Sequence, residues 1–385
     1  MKILTWDCET STFQKGNPYS RCNKLCYAGF LDSKGDYYQF DIEYSEAPYG
    51  NALKLIQELI DDHDVLVGFN AKFDVAWLRR YGISFDTTKI FDCQVAEFVL
   101  SNQQQSYPSL DATAISYGLE GKLDVVKTEY WDNGIDTPDI PEEILCEYLE
   151  QDVRQTYAVY LKQQERLADN PAMHKLIRLQ CQDLLVLQEI EQNGLLYDSA
   201  GSIAEGDTLK PELDNIANTL IGISGYPDFN IGSGEHLSAL LYGGSIKYKA
   251  KGQYEFHHKD GRVSIKEKYM DFFHTLPQLV KPLRGSELKK EGYFATDAST
   301  LRSLKGGAKV RSIITSVLRA AELEKLIGTY LHGLPAKIKE MDWDDNMIHG
   351  QLNQCVARTG RLSSSNPNLQ NFSKDLNHLF TTRYV

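Results

Sequence analysis

Asp7 and Glu9 stand two residues apart in "ILTWDCET", a β-prone stretch, so both carboxylates leave the strand on one face. Such a pair is costly unless water or cations neutralise it. Asp74 comes in "GFNAKFD", directly after the buried-strand candidate "VLVGFN", where the chain leaves the core and can return to the edge of the first strand. Asp152 adds a fourth acid in "YLEQDVRQT", with Tyr148 four residues earlier on the same helical face. Four carboxylates and a phenol suit hydrolysis of a phosphodiester with two hard cations, Mg²⁺ or Mn²⁺. One ion activates a water and the other steadies the leaving 3′ oxygen. Tyr148 would orient that water, with Glu9 sharing the task. Asn70 is placed to hold the strand terminus or touch substrate, a turn-capping role being equally open.

The elements that must position these groups read as alternating strands and helices. "CYAGFLDSKGDYYQFDI" forms two strands around a Ser-Lys-Gly-Asp turn, and "NALKLIQELIDD" has helical periodicity. "AKFDVAWLRRYG" is a helix that Gly82 can end. Residues 87–119 read as two helices around the polar "NQQQSYPS". "PDIPEEILCEYLEQDVRQTYAVYLKQQERLA" opens on proline and acids, as a helix start should. An α/β domain over residues 1–165 accounts for this part.

Taken in order and spacing, "DCE", "GFNAKFD" and "YLEQD" resemble the three exonuclease motifs of DnaQ-like 3′–5′ exonucleases, in the tyrosine-containing version of proofreading domains. The resemblance implies a ribonuclease H-like fold. It assigns metal ligation to Asp7, Glu9, Asp74 and Asp152, and orientation of the water to Tyr148.

Residues 166–204 form a connecting helix. "LLVLQEIEQNGLLYD" and "FNIGSGEHLSALLYGG" resemble the opening of the polymerase module of family A DNA polymerases, of the DNA polymerase I type. The resemblance implies a mostly helical thumb over 205–340 that grips duplex DNA. Lys247, Lys249 and Lys251 are candidate phosphate contacts, ordinary surface lysines being the alternative. Residues 244–300 are basic and loop-rich and give no assignable element. "MIHGQLNQCVARTGRLSS" reads as a strand pair.

"TGRLSSSNPNLQN" resembles the family A sequence that leads into the palm and borders the primer–template. On that resemblance Arg361 reads the minor groove at the primer terminus, where an arginine can donate to the common acceptors. Asn368, Gln370 and Asn371 offer donors and acceptors to the duplex. Ser363 and Ser364 touch phosphate or hold the turn, and His349 and Gln354 belong to the same segment. Two departures stand out. Phe372-Ser373 replaces the usual Ile-Pro, and residues 341–385 resemble only the beginning of a palm, the acidic palm motifs and the fingers helix not being found. The expected protein is therefore the exonuclease and DNA-binding part of a bacteriophage-type family A replicative polymerase. Its expected partners are primer–template DNA and single-stranded 3′ ends, a second polypeptide carrying palm and fingers, and a processivity factor. Polymerisation by this chain alone is not expected. The alternatives are a free-standing DnaQ-like or RNase D-like exonuclease with an accessory nucleic-acid-binding domain, or an inactive scaffold, which the intact acids argue against.

Composition sets bounds. The formal charge of -12 is uneven: residues 1–160 carry 27 acids and 13 bases, and residues 247–311 carry 15 bases and 7 acids. An acidic metal-binding part joined to one that meets phosphate fits this asymmetry. No run nears the roughly 18 apolar residues of a membrane span, and Asp7 and Glu9 interrupt the short apolar start, so no signal peptide is expected. Seven scattered cysteines suggest a reducing compartment without structural zinc. The expected location is the cytoplasm of an infected bacterial host.

Overall fold

A computed structural model describes residues 1–45, 50–86, 88–121, 125–344 and 346–382. Residues 383–385, the end of the palm-like segment, lie outside the described residues. The chain divides into two compact units. One comprises residues 1–198 and 336–385, the other residues 199–335.

The first unit is built on a five-stranded sheet. Its strands are β1 (Ile3–Thr10), β2 (Leu25–Asp32), β3 (Tyr37–Asp41), β4 (Val65–Gly68) and β5 (Ile90–Asp92), ordered β3-β2-β1-β4-β5. β1 is antiparallel to β2 and parallel to β4, which is parallel to β5. Period-two alternation sorts β1 into two faces. Leu4, Trp6 and Cys8 enter a core shared with Ile56 and Ile60 of α1 (Ala52–Asp62) and with Val75, Trp77 and Leu78 of α2 (Ala71–Arg80). The other face carries Asp7 and Glu9. The expected helices of residues 87–119 are α3 (Cys93–Leu100) and α4 (Leu110–Ser116). β5, only three residues long, was too short for periodicity to reveal.

α5 (Glu142–Leu167) crosses the acid-bearing face, packing on β1 and β2. Gly29 makes this approach close. It lies opposite Asp7 in the β1–β2 register, and a Cβ there would come within 2.7 Å of Tyr37 Oη and 2.9 Å of Leu149 Cγ. Leu149 is one turn before Asp152, so a bare backbone at position 29 sets how near Asp152 comes to the strand. α6 (Pro171–Asn193) ends at Gly194, whose φ of 59° and 2.9 Å approach to Ile348 O leave no room for a side chain. β6 (Leu195–Tyr197) follows.

In the second unit, α7 (Ser199–Ser224), α8 (Gly234–Tyr242), α9 (Ala298–Ser303) and α10 (Ala308–Glu324) supply a largely helical body. Leu220, Leu237, Leu241, Ile313 and Val317 lie in its core. The segment left unassigned in the sequence is not mainly loop. It begins with two 14-residue strands, β7 (Gly244–His257) and β8 (Val263–Leu276), paired antiparallel along their whole length as a two-stranded ribbon. "IKYKAKGQYEF" does alternate strictly, but lysines on one face and a glycine on the other blurred the pattern. This ribbon is the exception to the helical thumb expected over 205–340.

The chain then rejoins the first unit. β9 (Met347–Ile348), β6 and a last strand form a three-stranded sheet. β10 (Gln351–Asn353) pairs with β11 (Ser363–Ser365), as the expected strand pair required, and β12 (Phe380–Thr381) closes the three-stranded sheet against β6.

Candidate active site and nucleic-acid contacts

β1 and α5 bring three of the four expected acids together. Ligand oxygens of Asp7, Glu9 and Asp152 all lie within 4.8 Å of one another. Asp7 is half-buried, whereas Glu9 and Asp152 are buried. Asp74 stands outside that trio, in the first turn of α2, and is 2% exposed. Its carboxyl is held well above the usual range, first by burial and then by the neighbouring charge of Asp7, against which the backbone N–H of Cys8 pulls. A set made only of carboxylate oxygens is the donor chemistry of a hard divalent cation, and such a cation relieves the mutual repulsion that otherwise disfavours ionising all four. The residues present therefore fit the expected metal.

Tyr148 is buried one helical turn before Asp152, its ring edge-on to Trp131 at 5.8 Å. Two cavities flank this position. One of about 700 Å³ runs along α5 past Glu147, Gln151 and Arg154 and shares only Tyr148 with the site. The other, about 280 Å³, is lined by Glu9 together with Lys15, Phe73 and Trp131, and it matters more because one of the clustered acids forms part of its wall. Its wall is fixed by Asp136, which accepts from Thr12 N and Oγ1 at 2.7 and 2.8 Å, and by Trp77 Nε1 donating to Gly16 O at 3.0 Å.

Lys15 and Phe73 also line an adjoining cavity of about 380 Å³ together with Asn70, Lys72, Tyr107, Gln351 and Asn353. Asn70 is exposed there at φ 60°, and its side chain caps nothing. The turn is instead held by Asp92, which no local motif marks. Its fully buried carboxylate accepts from Ala71 N at 2.6 Å and from Val95 N at 2.9 Å, so one side chain serves the starts of α2 and α3. Burial lifts its pKa to about 6 against those backbone donors. Lys72 meets Glu191 at 2.6 Å, and Glu191 accepts from Leu352 N at 2.5 Å, which binds β10 to α6 and α2.

The expected DNA-contacting residues divide by their surroundings. His349 is buried, with Nδ1 2.8 Å from Glu191 O and its ring stacked on Tyr19 at 4.6 Å. Gln354 donates to Gln180 O at 2.9 Å. Ser364 is buried and accepts from Leu369 N at 3.0 Å. Asn368 accepts from Gln370 N at 3.0 Å, and Gln370 Nε2 donates to Leu362 O at 3.2 Å. Arg361 and Asn371 are exposed and Ser363 is half-buried in β11. Lys247, Lys249 and Lys251 sit at alternate, exposed positions of β7. Phe73, Lys72 and Trp131 were not singled out from sequence. Lys72 and Phe73 directly precede Asp74 inside "GFNAKFD" and were within reach; nothing local marks Trp131.

A mixed sheet with a parallel edge and a carboxylate trio at β1 and α5, followed by a largely helical region, defines an exonuclease-like domain joined to a polymerase-related fold. Comparison with known proteins agrees. Residues 1–168 match the family model "3'-5' exonuclease" and residues 272–384 match "DNA polymerase family A". Among curated relatives, DNA polymerase I of Bacillus subtilis is 26% identical over 305 residues, covering 79% of this chain and 29% of that protein. DNA polymerase I of Borreliella burgdorferi is 24% identical over 376 residues, covering 96% of this chain and 35% of that one. The chain thus spans about a third or less of the length of these relatives. The POL domain of Pol1 from M. smegmatis, solved in complex with DNA primer-template and dNTP, superimposes with a TM-score of 0.67 at 17% identity, over 96% of this chain and 52% of that one, a likeness of fold. The chain is DNA polymerase I-like: it has an N-terminal DnaQ-like exonuclease domain with a candidate two-metal site and part of a family A polymerase domain. No helix among the described residues is long and apolar enough to cross a membrane.

Proposed function

We propose that the protein is a 3′–5′ exodeoxyribonuclease that removes terminal nucleotides from single-stranded or mismatched DNA ends, acting as the proofreading and DNA-holding part of a family A polymerase. The carrying observation is the Asp7, Glu9 and Asp152 cluster, within 4.8 Å, in the domain that matches the exonuclease model. Asp7, Glu9 and Asp152, with Asp74 behind them, would hold two Mg²⁺ or Mn²⁺ ions, which supply Lewis acidity and a water of lowered pKa. Tyr148 holds the attacking water by its phenol, with Glu9 as the neighbouring acceptor. Phe73 and Trp131 take the terminal base in the cavity beside Glu9, and Lys15 meets its phosphate. The adjoining cavity past Asn70, Lys72 and Tyr107 gives the preceding nucleotides a path.

The family A resemblance supports primer–template binding by Arg361, Ser363, Asn368, Gln370 and Asn371. His349, Gln354 and Ser364 shape the segment that presents them. The test is release of labelled mononucleotides from a mismatched primer with Mg²⁺, without it, and in an Asp7→Ala variant. Mg²⁺-dependent release lost in Asp7→Ala is expected; equal release by both proteins would sink the assignment.

A further inference from the structure

The β7–β8 ribbon is unusual for what it leaves uncovered. Fourteen paired residues make an arm about 45 Å long. Its base is anchored: Ile246 and Leu276 are buried in the core of the second unit, and Tyr226 packs on Tyr248 at 5.5 Å and His274 at 5.3 Å. Beyond the base the pairing register sorts the side chains into two faces. One bears Tyr248, Phe272, Met270, Tyr254 and Phe256. Those rings and the thioether cover one another, with Lys266 Nζ 3.4 Å over Phe256 and Lys268 Nζ 4.7 Å over Tyr254. Gly252 keeps this face flat, since a Cβ there would meet Met270 Sδ at 2.8 Å.

The opposite face is open. The register sets Lys247 against Phe273, Lys249 against Asp271 and Lys251 against Tyr269. Tyr269 is 70% exposed and Phe273 63%. Lys247 is paired with Asp271 at 2.7 Å, while Lys249 and Lys251 have no ion-pair partner among the described residues. Lysine on an unpaired strand edge guards against aggregation, but edge protection alone gives no reason to expose two large rings between the lysines. Cations about 6.8 Å apart along one strand, with an aromatic ring directly across from the first and the third and Asp271 across from the second, form a surface for a polyanion whose bases are free to stack. A duplex keeps its base faces hidden and cannot use the rings.

We propose that this face, carrying Lys247, Lys249, Lys251, Tyr269 and Phe273, binds single-stranded DNA, with phosphates along the lysines and bases on the two rings. The inference rests on reading the chain as a DNA-acting protein. It adds a second, non-catalytic site that holds the unpaired strand.

The test uses the full chain in EDTA, so that no DNA is hydrolysed, and a fluorescein-labelled oligodeoxythymidylate of about 16 nucleotides, the upper end of a common site size. By fluorescence anisotropy, Tyr269→Ala with Phe273→Ala should weaken binding about 10-fold or more. Independently, Lys249→Gln with Lys251→Gln should make the log–log salt dependence shallower by about 1.4, or about 0.7 per phosphate contact. A duplex of equal length should be unaffected by loss of the rings. Circular dichroism and melting verify that each variant is folded, as expected for exposed positions.

Unchanged single-strand affinity in the ring variant overturns the proposal, and so does an equal loss for duplex. It is also overturned if the wild type is an oligomer that the ring variant dissociates while DNA affinity holds, since the face would then join copies of the chain. Failure of the exonuclease reading is distinguishable, because it would show as equal release by wild type and Asp7→Ala, whereas failure of the ribbon site would show as unchanged single-strand binding in EDTA by the ring variant.

Discussion

Gly29→Ala tests whether the carboxylate geometry depends on how closely α5 lies on the sheet. The added methyl would sit 2.9 Å from Leu149 Cγ and 2.7 Å from Tyr37 Oη. Carbon–carbon contacts settle at about 3.5–4.0 Å, so the Leu149 turn of α5 must withdraw by roughly 0.6–1.1 Å, the Tyr37 hydroxyl yielding more easily. Asp152 is carried on the next turn, in a cluster whose oxygens lie within 4.8 Å. A misplacement of about 1 Å in a catalytic arrangement costs on the order of 100-fold, so turnover of a single-stranded 3′ end should fall about 10- to 100-fold. Overpacking should also lower stability by about 1–3 kcal/mol. The assay is single-turnover release of labelled nucleotide at saturating Mg²⁺, with a urea melt alongside. Leu149→Ala alone leaves a cavity and costs about 2–5 kcal/mol. In the double variant the methyl finds room, so the two effects should fall short of their sum and activity should partly return. Full activity in Gly29→Ala, or strict additivity in the cycle, would refute the argument that this glycine sets the helix-to-strand distance.

Asp92 gives a pH signature. Its folded pKa is raised from 3.8 to about 6, so the native state holds the proton more tightly than the unfolded chain does. The stabilisation is fully present below pH about 4 and is lost as pH rises through about 6, a change on the order of 3 kcal/mol. Asp92→Asn should flatten the stability profile between those pH values in urea melts; an unaltered profile would show that another group titrates there. Lys72→Met should destabilise by about 3–5 kcal/mol by leaving buried Glu191 without its cation. Lys72→Met combined with Glu191→Leu should recover much of that loss by the same measurement.

The acids were legible because metal chemistry constrains residue type more tightly than packing does. Asp7 and Glu9 share a strand face, Tyr148 and Asp152 share a helix face, and both spacings survive folding intact. What could not be read were features defined by partners distant in sequence. Gly29 acquires its meaning from Leu149, Asp92 from two helix starts at once, and Lys72 from Glu191 and Leu352. The ribbon failed for a different reason: its alternation was present, but apolar residues exposed on one face and lysines on both do not resemble a strand that buries one side. In the polar "TGRLSSSNPNLQN" segment, residue type alone did not separate side chains that face solvent, such as Arg361, from those that hold the turn, such as Ser364.

The sheet that joins β6 to β9 and β12 also dictates a schedule. Leu195–Tyr197 find their partners at Met347–Ile348 and Phe380–Thr381, after residues 199–335 have been made as a separate unit. At about 5–20 residues per second, a ribosome takes roughly 10–40 s to travel from β6 to β12. For most of that interval the acids of β1 and α5 can already meet, while Gln351 and Asn353, part of the wall of the adjoining cavity, have not yet been made. The nascent chain therefore carries a complete set of carboxylates behind an unfinished entrance, and the inserted unit has the time to fold before the strands on either side of it meet.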